Sequence, residues 1–163
     1  MTPRSAITLL LACGLAATAR AQHAPATSSE DIDQETPMIA TSQQQRILVH
    51  VTHGPEAPTR AALAFNVARS ALQQGHEVTL FLAGDAVQLI RDDVLDHLAG
   101  LGTGSMRQLY DGIVSDGGTF FLSGGSSNAR GVTEADLTNK PATFAGPDQL
   151  VRLALEHDRM FTY

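Results

Sequence analysis

Three short apolar runs set the strongest limit on what this chain can form. They are ILVHVT (Ile47–Thr52), EVTLFLAG (Glu77–Gly84) and TFFLS (Thr119–Ser123). Each is rich in β-branched or aromatic residues and too short for a typical helix, so each predicts a strand. The stretches between them have helical character instead. Thr59–Gly75 (TRAALAFNVARSALQQG) places Leu63, Val67 and Ala71 on one stripe, with Ala64 and Ala68 beside it and Gly75 as a stop. Strands that alternate with helices imply a parallel sheet covered by helices, an α/β fold. Ligands of such sheets collect at the carboxyl ends of the strands. Two segments lie there: His53-Gly54-Pro55-Glu56 after the first strand and Ser123–Arg130 after the third.

The rest of the pattern extends this architecture. Asp85–Gly102 predicts a helix or broken helix, and Ser105–Ser115 a second one with Met106, Leu109, Tyr110 and Ile113 at helical spacing. Thr133–Leu137 predicts one helical turn with Thr133 as N-cap, and PATFAG a short strand. PDQLVRLALEHD starts with Gly146 and Pro147 in the N-cap and first-turn positions, with Leu150, Val151, Ala154 and Leu155 expected to face inward. RMFTY is expected as the last strand.

The first 21 residues read as a secretory signal peptide. Arg4 precedes a short apolar run, Ala6–Ala17, and Ala19-Arg20-Ala21 gives an A-x-A cleavage pattern; the run is too short to span a bilayer. The expected location is therefore periplasmic or secreted. A lipobox-like Leu10-Leu11-Ala12-Cys13 offers an alternative lipoprotein reading through Cys13, with Leu11 a poor fit. Residues 22–45 are rich in Ser, Thr, Gln, Pro and acids and predict a flexible polar linker. The globular domain is expected over 46–163, with no transmembrane segment in the mature chain.

Loss of the leader moves the formal charge from −6 to −8, because two arginines and no carboxylate leave with it. An acidic chain with a single lysine, Lys140, is a poor fit to nucleic acid. Cys13 is the sole cysteine, so the mature chain has no thiol for disulfides, thiolate metal sites or cysteine catalysis.

The segment SGGSSNAR (Ser123–Arg130) is the main candidate site. Its amides could form an anion nest, with Arg130 as a forked cation. However, it matches neither G-x-x-x-x-G-K-[ST] nor G-x-S-x-G, and no G-x-G-x-x-G follows the first strand. A tight turn with Arg130 paired to a carboxylate is the simpler reading. His50-x-x-His53 would point to opposite faces of a strand and predicts no metal pair. His76, His97 and His157 fall near helix ends, where a cation suits the dipole. Asp92, Asp93 and Asp96 read as a solvated helix face. No cofactor and no metal site are expected.

Four pieces in order carry a resemblance. They are the Thr52–Pro58 loop, QGHEVTLFLAGDAV (Gln74–Val87), ARGVTEADL (Ala129–Leu137) and FAGPDQLVRLALEHDRMFTY (Phe144–Tyr163). Together they resemble the DsrE-like family of sulfur-relay proteins (DsrE/DsrF and TusD types) over Arg46–Tyr163. The resemblance implies a three-layer α/β/α domain with a mainly parallel sheet of about five strands. It also implies a homo-oligomer (dimer, trimer or hexamer) and sulfur-relay partners. Sulfur-carrying members hold a persulfide on a cysteine before the A-R-G segment. The matching positions here are Ser126 and Ser123, and a serine hydroxyl cannot hold a persulfide. What the resemblance leaves is a pocket for a small anionic or polar ligand, formed by Gly54, Glu56, Ser123, Gly124, Gly125, Ser126, Ser127, Asn128 and Arg130. The expected function is non-catalytic binding of such a ligand or of a partner. The alternatives are an accessory subunit of a sulfur-relay complex, and a serine or acid–base enzyme using the Ser123–Arg130 loop with His53 and Glu56.

Overall fold

The computed structural model describes residues 43–163; the expected leader, Cys13 and most of the polar linker lie outside the described residues. In chain order, β1 (Arg46–Val51) leads to α1 (Pro58–Gln73) and β2 (Glu77–Leu82). A 3-10 turn (Gly84–Ile90) and α2 (Asp92–His97) follow. The two-residue strands β3 (Ala99–Gly100) and β4 (Gly104–Ser105) pair antiparallel before α3 (Met106–Ser115). Then come β5 (Thr119–Ser123), α4 (Gly124–Ala129), a 3-10 turn (Glu134–Leu137), β6 (Ala142–Ala145), α5 (Pro147–Glu156) and β7 (Arg159–Thr162).

The main sheet has five strands in the order β6-β5-β2-β1-β7, and every pairing in it is parallel. The central strands are apolar on both faces, as buried parallel strands require. Ile47, Val49 and Val51 join Val78, Leu80, Leu82, Phe120 and Leu122 in the larger core with α1 and α3, while Leu48 and Phe81 pack on the other side with Leu153 of α5.

Three expectations are corrected. On α1 the inward face is the alanine side: Ala64 and Ala68, expected beside the stripe, are buried with Ala61, Phe65 and Ala71, whereas of the stripe itself Leu63 is exposed and Val67 only partly buried. Small side chains let the helix backbone approach the sheet, and Phe65 fills the gap beside Phe120, with ring centroids 6.0 Å apart. On α5 only Leu153 is buried. Leu150 is half-buried, whereas Val151 (59% exposed), Ala154 and Leu155 (83% exposed) face outward. The larger core with α1 and α3 lies on the opposite sheet face, leaving α5 a single line of contact. The Ser123–Arg130 segment, expected as a loop or tight turn, contains helix α4. Gly, Ser and Asn are weak helix formers, so tertiary bonds must hold it.

Candidate functional site

Those bonds come from a segment that sequence reasoning did not single out, Gly84-Asp85. The Gly84 N–H donates to Ser126 Oγ at 3.0 Å. Arg130 Nε donates to Asp85 Oδ1 at 2.7 Å, and Arg130 Nη1 to the Ser126 carbonyl at 3.3 Å. Gly84 has φ +56, a conformation that favours glycine, and lies against the Thr52 carbonyl. Gly54 is buried directly on the Asp85 backbone. The carboxyl ends of β1, β2 and β5 therefore meet around Gly84-Asp85. Gly84-Asp85 ends the second apolar run at the end of a strand, so the rule that picked out the other two segments could have found it.

Each predicted site residue now has a place. Both Glu56 carboxylate oxygens accept from the Gly54 N–H, at 2.9 and 3.0 Å, so Glu56 closes its own loop. Ser123 Oγ accepts from the Ser126 N–H at 3.4 Å and caps α4. Gly124 and Gly125 form the first turn of α4, and Gly125 and Asn128 are exposed. Ser127 is only 2% exposed, and its hydroxyl has no hydrogen-bond partner. Arg130 is paired with a carboxylate, the simpler of the two readings of its sequence context. Nearby, Arg91 Nη2 donates to the carbonyls of Arg130 (3.0 Å) and Gly131 (2.6 Å), and Arg91 Nε lies 3.7 Å from Asp136. The cations beside the loop are thus committed to protein acceptors.

A recess of about 260 Å³ flanks α4, lined by Gly124, Ser127, Asn128, Val132 and Phe144. Val132 and Phe144 were not anticipated from the sequence, because nothing local marks them as neighbours of the serines. A larger cleft of about 450 Å³ lies at the amino-terminal ends of β2 and β5, among His76, Glu77, Asp116 and His157. It touches none of the predicted residues, so we place the candidate site at the strands' carboxyl ends.

Among the described residues no histidine or carboxylate is hydrogen-bonded to the side chains of Ser123, Ser126 or Ser127. The His53 ring is within hydrogen-bond distance of Thr52 Oγ1 (3.2 Å) and Arg60 Nη1 (2.9 Å), with no bond to Ser123 or Ser126. His97 Nδ1 and His157 Nδ1 meet the carbonyls of Asp93 and Leu153, four residues back in the last turns of α2 and α5. His76 Nδ1 instead accepts from the Gln45 N–H. His50 sits edge-on to Phe81, and burial pushes its pKa down. Asp92 and Asp96 are not merely solvated. Arg107 bonds both, at 2.8 and 2.7 Å, and Lys140 also reaches Asp92. The Arg107 and Lys140 bonds hold the Asp92 carboxyl below its usual range. Among the described residues no group of three or more His, Cys, Asp or Glu could hold a metal ion, and no helix is long and apolar enough to cross a membrane.

A five-stranded parallel sheet with helices on both faces and a serine-glycine helix at its carboxyl edge defines an α/β domain. The sequence profile of the DsrE/DsrF-like family matches residues 45–163, and the chain belongs to that family. Among solved structures it is similar to the ychN protein from E. coli, at 17% identity and a TM-score of 0.59, covering 74% of this chain and 100% of that one. It is also similar to BT1422 from Bacteroides thetaiotaomicron, a conserved protein of unknown function, at 14% identity and a TM-score of 0.56, covering 73% and 95%. No curated protein sequence matches it.

Proposed function

We propose that this chain is an exported, self-associating member of the family that binds a small ligand or a protein partner and does not carry sulfur. One observation carries the reading: Ser126 and Ser123, which the family resemblance matches to cysteine positions, serve the fold. Ser126 Oγ holds Gly84, and Ser123 Oγ caps α4. Neither is bonded to a base, so neither is activated as a nucleophile. Export is supported by Arg4, the Ala6–Ala17 run and Ala19-Arg20-Ala21. Self-association is supported by Val151, Leu155 and Met160, large apolar side chains exposed on α5 and β7. The same strip would suit a cysteine-bearing relative, which is the accessory-subunit reading. Incubation with thiosulfate and cyanide tests the central point. The expected result is no thiocyanate above background. Turnover that disappears in Ser126→Ala would overturn the reading and make the loop catalytic.

A further inference from the structure

We propose that β7 is a dimerisation edge, along which two copies of this chain pair antiparallel about a two-fold axis at Phe161 and continue one sheet into the other. This rests on the self-association in the reading above and names its surface. β7 ends the strand order, and among the described residues no strand covers its outer side. All four of its residues are exposed. Sheet edges are normally blunted by charge, proline or a bulge, yet β7 (RMFT) holds only Arg159. The opposite edge, β6, follows Pro141 and exposes only Thr143. The register sets Met160 beside Leu48, on the α5 face, and Phe161 beside Val49, on the α1 face. They are 44% and 43% exposed, so apolar side chains stand uncovered on both faces of one edge.

The backbone selects the partner. The Tyr163 N–H donates to the His50 carbonyl, and the Tyr163 carbonyl accepts from the Thr52 N–H. Tyr163 therefore turns both groups toward β1, and alternation along the strand turns those of Met160 and Thr162 outward. Antiparallel pairing about Phe161 sets Met160 of one copy opposite Thr162 of the other, so each pair exchanges both of its bonds. Phe161 then faces its own copy at a non-hydrogen-bonded position, about 4.5 Å apart at Cα, where aromatic pairs are favourable. Arg159 faces the Tyr163 ring on the same side. Centring the axis on Met160 instead would set Thr162 against Asp158, whose N–H is already given to the Arg46 carbonyl. A second copy in the Phe161 register thus satisfies the outward groups of Met160 and Thr162, and the two-fold axis closes the assembly along this edge.

Cross-linking tests the edge and its register. The full chain with its sole cysteine removed (Cys13→Ser) receives either Phe161→Cys or Met160→Cys and is oxidised at micromolar concentration. The two positions are equally exposed, so accessibility favours neither. Phe161→Cys should form a disulfide-linked dimer about tenfold faster, because the Met160 copies would lie about 7–8 Å apart on the diagonal, past the usual disulfide span. Thr162→Pro removes only an outward N–H, which an edge strand tolerates. It should weaken the dimer about thirtyfold, the worth of the two hydrogen bonds lost, at unchanged circular dichroism, as read by light scattering. Faster linking through Met160→Cys would overturn the register. An unsubstituted dimer that Phe161→Cys fails to cross-link, or that Thr162→Pro leaves intact, would overturn the edge and leave self-association to another surface. A monomeric unsubstituted chain would overturn both.

Discussion

Gly54→Ala tests how tightly the three strand ends are joined. A Cβ at Gly54 would overlap the Asp85 carbonyl oxygen and come within 2.6 Å of its carbonyl carbon. Nonbonded carbons sit best at about 3.5–4.0 Å, so about 1 Å of separation has to be found. The clashing atoms are backbone and Gly54 is buried, so no flexible side chain can swing aside. Overpacking of this kind costs about 1–3 kcal/mol. At about 4 °C per kcal/mol for a domain of this size, the melting temperature should fall by about 4–12 °C. The damage should also be local. Displacing Asp85 pulls on Arg130, and the neighbouring Gly84 N–H is held by Ser126 Oγ. Thermal melts combined with amide hydrogen exchange read both effects. Gly84 should exchange faster relative to the β1 and β2 core amides. A stability change below about 0.5 kcal/mol with unchanged Gly84 exchange would refute the close contact.

Phe65→Ala should destabilise by about 3–5 kcal/mol, because the ring is almost wholly buried beside Phe120; urea denaturation reads it. Leu155→Glu places a charge on the most exposed apolar residue of α5. Light scattering after gel filtration should show a smaller species than the unsubstituted chain, at unchanged melting temperature. His50 should make stability depend on pH. Burial lowers its folded pKa below the ordinary 6.5, so the unfolded chain binds the proton more readily. Stability should be complete above pH 6.5 and fall as pH drops through that value toward the folded pKa. His50→Gln should flatten that part of the profile, and an unchanged slope would count against it.

The sheet was readable because strands and alanine-rich helices leave local marks. Ile47–Val51 is apolar at nearly every position, and a strand buried on both faces needs that. Which side of a helix turns inward was less readable. On α1 the bulkier Leu63 suggested one face, but a helix packed closely on a sheet selects small residues, so Ala61, Ala64 and Ala68 won. On α5 the apolar spacing was real, yet spacing gives no information on how much sheet lies beneath. Val151 and Leu155 lie beyond the single line of contact.

The site shows the same limit more sharply. Serine, glycine and asparagine favour turns in isolation, and Ser123–Arg130 reads as one. What makes it a helix is a bond from Gly84, 42 residues away, and an ion pair to Asp85, 45 residues away. Neither contact has a local signature. Once both exist, Arg130 is no longer a free cation and Ser126 is no longer a free hydroxyl. The residues that looked most reactive are the ones the fold has used. Ser127 looked like one more small residue in the run, yet its hydroxyl, like those of Thr103 and Tyr110, is buried without a hydrogen-bond partner.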